Sequence, residues 1–415
     1  MMNLLRRWRE SFSGLTRQVW LLAFANFINR CGAMVLGFLT IYLTKELKFS
    51  VESAGFAMAC FGIGAVFGNF IGGILTDKWG SFDIMKISLT FNGIILFVMM
   101  FVTEYWTMCG TLFFFSLVSE LFRPANSTAV ARAATPETYT RSYSLLRLAF
   151  NLGWTVAPAL GGFLAFHVGW KWLFIGDGIT CLFAAAFITF NKELRIIRNE
   201  AIQTKTLETQ EKKSAPPPIN PYTDWHYLSF IFLTFINAYV FLQLLWTVPL
   251  YFEKGLGFNE SEIGLLVGFN GLLVVLLEMP LIFRIENSYS KIRLIQAGLL
   301  LYAVSYFTLN LSVPAIVCSL ICIIGLSFGE ILVMPFSTNL VVSFADKNSQ
   351  GKYMALYSIA YSTANIIAPL IGTQIIAKKG YFYLWNMVGY LAIIDLIGFY
   401  FLRTSAKQQT QLANS

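Results

Sequence analysis

Gly72-Gly73-Ile74-Leu75-Thr76-Asp77-Lys78-Trp79-Gly80 closes one apolar run and opens onto another. An acid and a base therefore sit in a very short turn between two hydrophobic helices. Gly73 is expected to let a neighbouring helix approach closely, because it has no Cβ to hold it off. Asp77 is expected to accept hydrogen bonds from a helix N-terminus, where the backbone dipole favours an anion. Such a contact can latch one conformation of a moving bundle. The plainer reading is a polar turn at a membrane surface.

The composition around this stretch is that of a membrane protein. The chain has 415 residues, 56% hydrophobic and only 13% charged, with mean hydropathy +0.63. Soluble proteins carry about 25% charged residues. Apolar runs near span length set the architecture. The first starts near Val19, after Arg6, Arg7, Arg9 and Arg17, and runs past Arg30 to Tyr42 without a small-residue cleavage site. It reads as a membrane helix rather than a removable signal. Cys31, Cys60, Cys109, Cys181, Cys318 and Cys322 all fall inside apolar runs, so they read as small buried side chains and not as a disulfide framework. His167 and His226 lie at helix ends. There is no phosphate-binding loop for ATP, and no cofactor or metal is expected. A membrane-embedded enzyme would need a histidine cluster, metal ligands or a nucleophile beside a base, and none is found.

Twelve helices are expected, over 19–43, 52–76, 84–103, 105–131, 140–167, 170–190, 224–252, 261–284, 291–310, 313–342, 351–377 and 381–402. The fold class is therefore all-α and polytopic. Residues 191–223 are polar and contain Pro216-Pro217-Pro218, which should be extended. They divide the chain into an N-terminal six-helix bundle (1–190), a linker (191–223) and a C-terminal six-helix bundle (224–415). Of the 30 Lys and Arg, Lys45, Lys48, Lys171, Lys254, Lys378 and Lys379 fall on one side. Arg30, Arg123 and Arg147 fall within the membrane, and the rest fall on the other side with both termini and the linker. That side is expected to be cytoplasmic. The net charge of +8 is then a topology signal, not a nucleic-acid footprint.

The halves repeat. Phe27-Ile28-Asn29 matches Phe235-Ile236-Asn237. A shift of 209 places Tyr42 on Tyr251, Asn69 on Glu278 and Asp77 on Glu286. A shift of 211 places Pro124 on Pro335, Ala157-Pro158 on Ala368-Pro369 and Gly161 on Gly372. Parallel six-helix halves of this kind characterise one group of secondary transporters. The turn Gly73-x-Leu75-x-Asp77-Lys78-x-Gly80 resembles the loop between helices 2 and 3 of that group, the major facilitator superfamily. Ser81 and Phe82 stand where the family usually has two basic residues. Gly153-x-x-x-Ala157-Pro158-x-x-Gly161-Gly162 resembles the fifth-helix signature of its proton-coupled exporters, with Ala157 in place of a usual glycine. Arg123-Pro124 resembles the arginine-bearing fourth-helix signature. The motif pattern is most similar to the twelve-helix branch that exchanges drugs for protons.

The resemblance implies a small organic solute bound near mid-membrane between the halves and moved by alternating access. It implies proton-coupled efflux from a bacterial inner membrane, by a monomer with no nucleic-acid partner. Gly73, Asp77, Lys78, Gly80, Gly153, Pro158, Gly161 and Gly162 would serve gating and packing. Helices 1, 4, 7 and 10 line the cavity in this family, which implies Asn29, Arg30, Arg123, Asn237, Gln243 and Glu330 as lining. Charges within the membrane are functional candidates in their own right. They are Arg30, Glu120, Arg123, Arg147 and Asp177 in the first half, with Glu278, Glu330 and Asp395 in the second. Arg147 joins the substrate-binding set, and Glu120 and Arg123 can pair on one helix face. Glu330 has no basic residue within one turn, which suits a carboxyl that binds and releases a proton. Glu278 and Asp177 are the next candidates for that role. Two other readings stay open. One is a proton-coupled importer, because Asn29-Arg30-Cys31-Gly32 faintly resembles helix 1 of proton-dependent peptide transporters. The other is a non-transporting receptor or scaffold on the same fold.

Overall fold

The computed structural model describes residues 14–135, 138–191, 193–194, 221–286, 288–344 and 350–413. All regular structure among them is helical. The helices are α1 (Arg17–Cys31), α2 (Met34–Ile41), α3 (Val51–Trp79), α4 (Ser81–Met99), α5 (Tyr105–Ala133), α6 (Tyr139–His167) and α7 (Lys171–Phe190). They continue with α8 (Trp225–Trp246), α9 (Val248–Lys254), α10 (Glu260–Ile285), α11 (Lys291–Thr308), α12 (Ala315–Phe344), α13 (Gln350–Lys379) and α14 (Tyr381–Ala413). Among the described residues, 11 spans are long and apolar enough to cross a membrane. The expected ninth helix forms as α11 but is not one of the 11, and its first turn carries Lys291 and Arg293. Most of the expected linker, including Pro216-Pro217-Pro218, lies outside the described residues.

Two of the expected spans are interrupted. The first splits into α1 and α2 at Gly32-Ala33 and ends in a π-helical turn, Tyr42–Glu46. The second half needs a cap, because the first N–H groups of a helix have no partner inside it. Asp177 of α7 supplies that cap. Its two oxygens accept from the backbone N–H of Met34 (3.1 Å) and Val35 (2.8 Å), and it is buried. Gly32 makes room, since a Cβ there would run into the Thr180 side chain of α7. The seventh span breaks at Thr247, between α8 and α9. Pro249 follows in the first turn of α9, where a missing N–H is harmless.

By contact the chain forms two compact units, Met1–Gly37 with Ile63–Ser214 and Phe38–Gly62 with Ala215–Ser415. In the first unit α4 packs on α5 and α7, and α1 packs on α6 and α7. Its core includes Leu22, Met85, Leu121, Ala125, Leu145 and Ala184. Gly64, Gly68 and Gly72 of α3 meet the backbone of α5 around Phe113, Leu117 and Leu121, so these glycines form the packing face. Gly73 is not part of it. Among the described residues nothing approaches the position of its missing Cβ, and the expectation that it admits a neighbouring helix is corrected. The Asp77-Lys78 turn also differs. α3 stays helical through Trp79, so both residues lie in its last turn, and Gly80 alone makes the connection at φ 94°. Asp77 is exposed and makes no hydrogen bond or ion pair among the described residues.

In the second unit α11 packs on α12 and α14, while α8 packs on α13 and α14. The segment 38–62 docks on this unit through side chains of opposite charge and through glycine. Lys45 Nζ lies 2.5 Å from Glu260 Oε1. Gly55 abuts Thr373, Gly62 abuts Ile366, and the Phe61 ring meets Trp246 at 6.1 Å. An Asn259–Glu262 capping box starts α10 and thereby fixes Glu260 at its first turn.

Candidate substrate and proton sites

In the second unit four helices converge on Glu330. Gly329 precedes it on α12, and the Tyr302 ring of α11 lies against that bare backbone. Asn270 of α10 donates to Ser327 Oγ (2.9 Å) and to Glu330 Oε2 (3.4 Å). Tyr302 is buried, its hydroxyl has no partner, and it lies within the field of the Glu330 carboxyl. Tyr361 of α13 shares that field. Its ring lies tilted against that of Tyr357 (5.1 Å between centres), whose hydroxyl is 3.4 Å from Thr338 Oγ1. Further along α13, Asn365 Oδ1 accepts from Trp246 Nε1 at 3.2 Å. Glu330 is thus a half-buried carboxyl in a setting of carboxamide and phenol groups.

In the first unit a positively charged group gathers around Arg30. Gly153 lets α6 lie directly on the Arg30–Cys31 backbone. The guanidinium then sits over the Phe150 ring, 4.5 Å from its centre, a favourable arrangement for a cation. Its Nε is buried without a partner. Arg123 of α5 pairs with Glu120 at 3.3 Å, and Glu120 also accepts from Asn69 of α3 at 3.0 Å. Arg30 lies within the field of both Arg123 and Glu120. One carboxylate, paired with Arg123, thus lies in the neighbourhood of two guanidinium groups. Gly161 meets Met34 at the start of α2, and Pro158 lies beside Gly37. Asn29 Oδ1 faces Cys181 Sγ at 3.9 Å, and Gly162 is buried on α6. Arg147 is half-buried one turn before Phe150.

Other candidates stand apart from these groups. Gln243 is fully buried with its amide engaged, accepting from Thr247 Oγ1 (2.6 Å) and donating to Ala368 O (3.4 Å). Asn237 is buried and neither of its amide atoms has a partner. Glu278 is buried on α10, eight residues beyond Asn270 and so about 12 Å along the axis. Asp177 is occupied as the cap of α2. Asn270, Tyr302 and Phe150 were not among the residues singled out from the sequence. Asn270 had a signal, since it is the lone polar residue within Leu265–Leu277. Tyr302 and Phe150 had none, because aromatic residues are 16% of the chain.

The sequence pattern of the Major Facilitator Superfamily matches residues 22–369. The chain belongs to this superfamily. This major facilitator protein is an integral membrane transporter and not an enzyme. It is 25% identical over 369 residues to the uncharacterized MFS-type transporter YttB of Bacillus subtilis (strain 168), covering 88% of this chain and 90% of that one. It is 22% identical over 340 residues to multidrug resistance protein 1 of the same organism, covering 80% and 82%. To the Na(+), Li(+), K(+)/H(+) antiporter of Planococcus maritimus it is 22% identical over 407 residues, covering 91% and 92%. Among solved structures, the transporter fold is shared with a peptide transporter, POT, in complex with sulfate. That match has TM-score 0.76 and 14% identity, and covers 96% of each chain.

Proposed function

We propose that this transporter exports a small organic solute in exchange for protons, with Glu330 as the coupling carboxyl. The observation that carries this reading is the Glu330 setting. A half-buried carboxyl held by Asn270 and faced by the partnerless Tyr302 hydroxyl can exist with or without its proton. Opening to water favours the charged form, and occlusion favours the neutral one. A difference of one pKa unit between the two states corresponds to about 1.4 kcal/mol, enough to bias a conformational cycle. Relatives named as multidrug resistance proteins and as a cation/proton antiporter support exchange and efflux. The cluster around Arg30 adds a substrate class. With two guanidinium groups and one carboxylate, it suits an anionic or zwitterionic solute at least as well as a cation.

The test is transport in proteoliposomes under an imposed pH gradient. Glu330→Gln mimics the protonated form. It should reduce gradient-driven transport by roughly tenfold or more while passive exchange persists. Glu278→Gln is the comparison and should slow both processes if Glu278 is a gate. Full gradient-driven accumulation in Glu330→Gln, with an unchanged pH profile, would remove Glu330 from this role. Accumulation with the proton gradient rather than against it would replace export by import.

A further inference from the structure

Asp395 lies on α14, is 0% exposed, and neither of its oxygens has a hydrogen-bond partner among the described residues. Asn237 on α8 is 1% exposed, and neither of its amide atoms has one either. Buried polar atoms are nearly always paired, so four unpaired ones in the packed interior of one unit call for a reason. The register of the two helices brings the residues together. The rings of Phe230 and Phe399 meet at 6.1 Å, and Gly398 abuts Leu233. As the number rises on α8 it falls on α14, so the helices run antiparallel. Asn237 is seven residues beyond Phe230, and Asp395 is four before Phe399, which keeps both on the contact face. Side chains lean toward the N-terminus of their own helix. In an antiparallel pair that tilt carries Asn237 and Asp395 toward one layer.

Among the described residues the surroundings offer no alternative partner. From α11, Gln296 donates to the backbone of Leu396 (3.3 Å), and the buried neighbours Ile295 and Leu299 are apolar. From α13, Ala360 and Ala364 are the buried residues at this level. No charged side chain among the described residues acts on Asp395. Arg293 of α11 and Lys352 of α13 are exposed, while Asp224 and His226 sit at the start of α8, about three turns below Asn237. Tyr302, Tyr357 and Tyr361 act on one another or on Glu330 and not on Asp395.

We propose that Asp395, faced by Asn237, is a second proton-binding site of this transporter, separate from Glu330. A bare carboxylate without a partner is strongly disfavoured in an apolar interior, whereas a carboxylic acid is tolerated there. The acid offers one O–H and one C=O, and the carboxamide offers N–H and C=O, so a small slide of α14 along α8 pairs them. Release of the proton requires water to enter between α8 and α14. Proton occupancy at Asp395 is thereby tied to the packing of these two helices.

Infrared difference spectra of wild type against Asp395→Asn in lipid at neutral pH test the first part. A deuterium-sensitive protonated-carboxyl band should be present in wild type, retained in Glu330→Gln and missing in Asp395→Asn. Loss of a carboxylate band instead, or loss of the carboxyl band in Glu330→Gln, overturns the proposal. The second part is read as thermal unfolding in the Glu330→Gln background, which silences the carboxyl of the first site, and as the difference that Asp395 makes there. Asp395 should account for a fall of about 3 °C in the midpoint between about pH 6 and about pH 9, so Asp395→Asn should make the fall smaller by that amount. An unchanged fall overturns the proposal. If Asp395→Asn does not fold, Asp395→Leu takes its place in both measurements, since an apolar side chain of similar volume leaves no orphaned group.

Discussion

Asp177 joins two parts of the molecule that are distant in sequence. It sits 142 residues from Val35 and closes the start of α2 with both carboxyl oxygens. Removing a cap typically costs about 1 kcal/mol, and more when the N–H groups left behind are buried. Asp177→Ala should therefore destabilise the transporter by about 1–3 kcal/mol, and Asp177→Asn, which keeps one acceptor, by less. Amide exchange at Met34 and Val35 should accelerate in both variants. Unchanged exchange at those two positions would mean that α2 holds its first turn by other means. At this scale the sequence showed which residues were charged within the membrane but not what each charge meets. Glu120 and Arg123 were legible as a pair because they are three apart on one helix. The contact of Asp177 with Met34 spans 143 residues, and no local spacing encodes it.

The span boundaries were legible because apolar composition and length are local properties, and most helices start and stop within a few residues of expectation. The breaks at Gly32-Ala33 and Thr247 were not, because apolar residues continue across both. The glycines show the same limit. Gly64, Gly68 and Gly72 could be read as a face from their four-residue spacing, while Gly73 falls outside it on open space. Gly68→Val should push α3 away from α5 and cost about 1–3 kcal/mol. Gly73→Ala should be within about 1 kcal/mol of wild type, on the stabilising side, because alanine is the better helix former. Thermal unfolding of the two variants side by side checks this, and equal destabilisation would contradict the packing face. At the start of α5, Glu104 accepts from the Thr107 hydroxyl (2.6 Å) and from the Thr107 and Trp106 amides. The Thr107 hydroxyl first, and then those amides, hold its carboxyl below the ordinary range. A depressed value means that the cap is present above the unfolded value, about 4.3, and is lost as pH falls through the folded one. Exchange at Trp106, relative to its intrinsic rate, should rise only below about pH 4 in wild type and already at neutral pH in Glu104→Ala.

The expected boundary between halves lay in the polar linker, because a break in hydropathy is visible in sequence and a change of packing partner is not. The compact units follow a different line. Residues 38–62 precede that linker by more than a hundred positions, yet they belong with residues 215–415. The Lys45–Glu260 pair and the fit of Gly55 and Gly62 against α13 account for this. The backbone therefore changes unit at 37/38, at 62/63 and at 214/215. No single cut can release either unit whole. A gene split at the linker would make one fragment, 1–214, that carries a piece belonging to its sibling, and another, 215–415, that lacks the piece. Expressed alone, the second fragment should be degraded or aggregate. Expressed together, the two should complement each other, and disrupting the docking with Lys45→Glu should weaken that rescue severalfold. Restoring the opposite charge with Glu260→Lys should recover it. Two polypeptides would then behave as a lock and its own severed key.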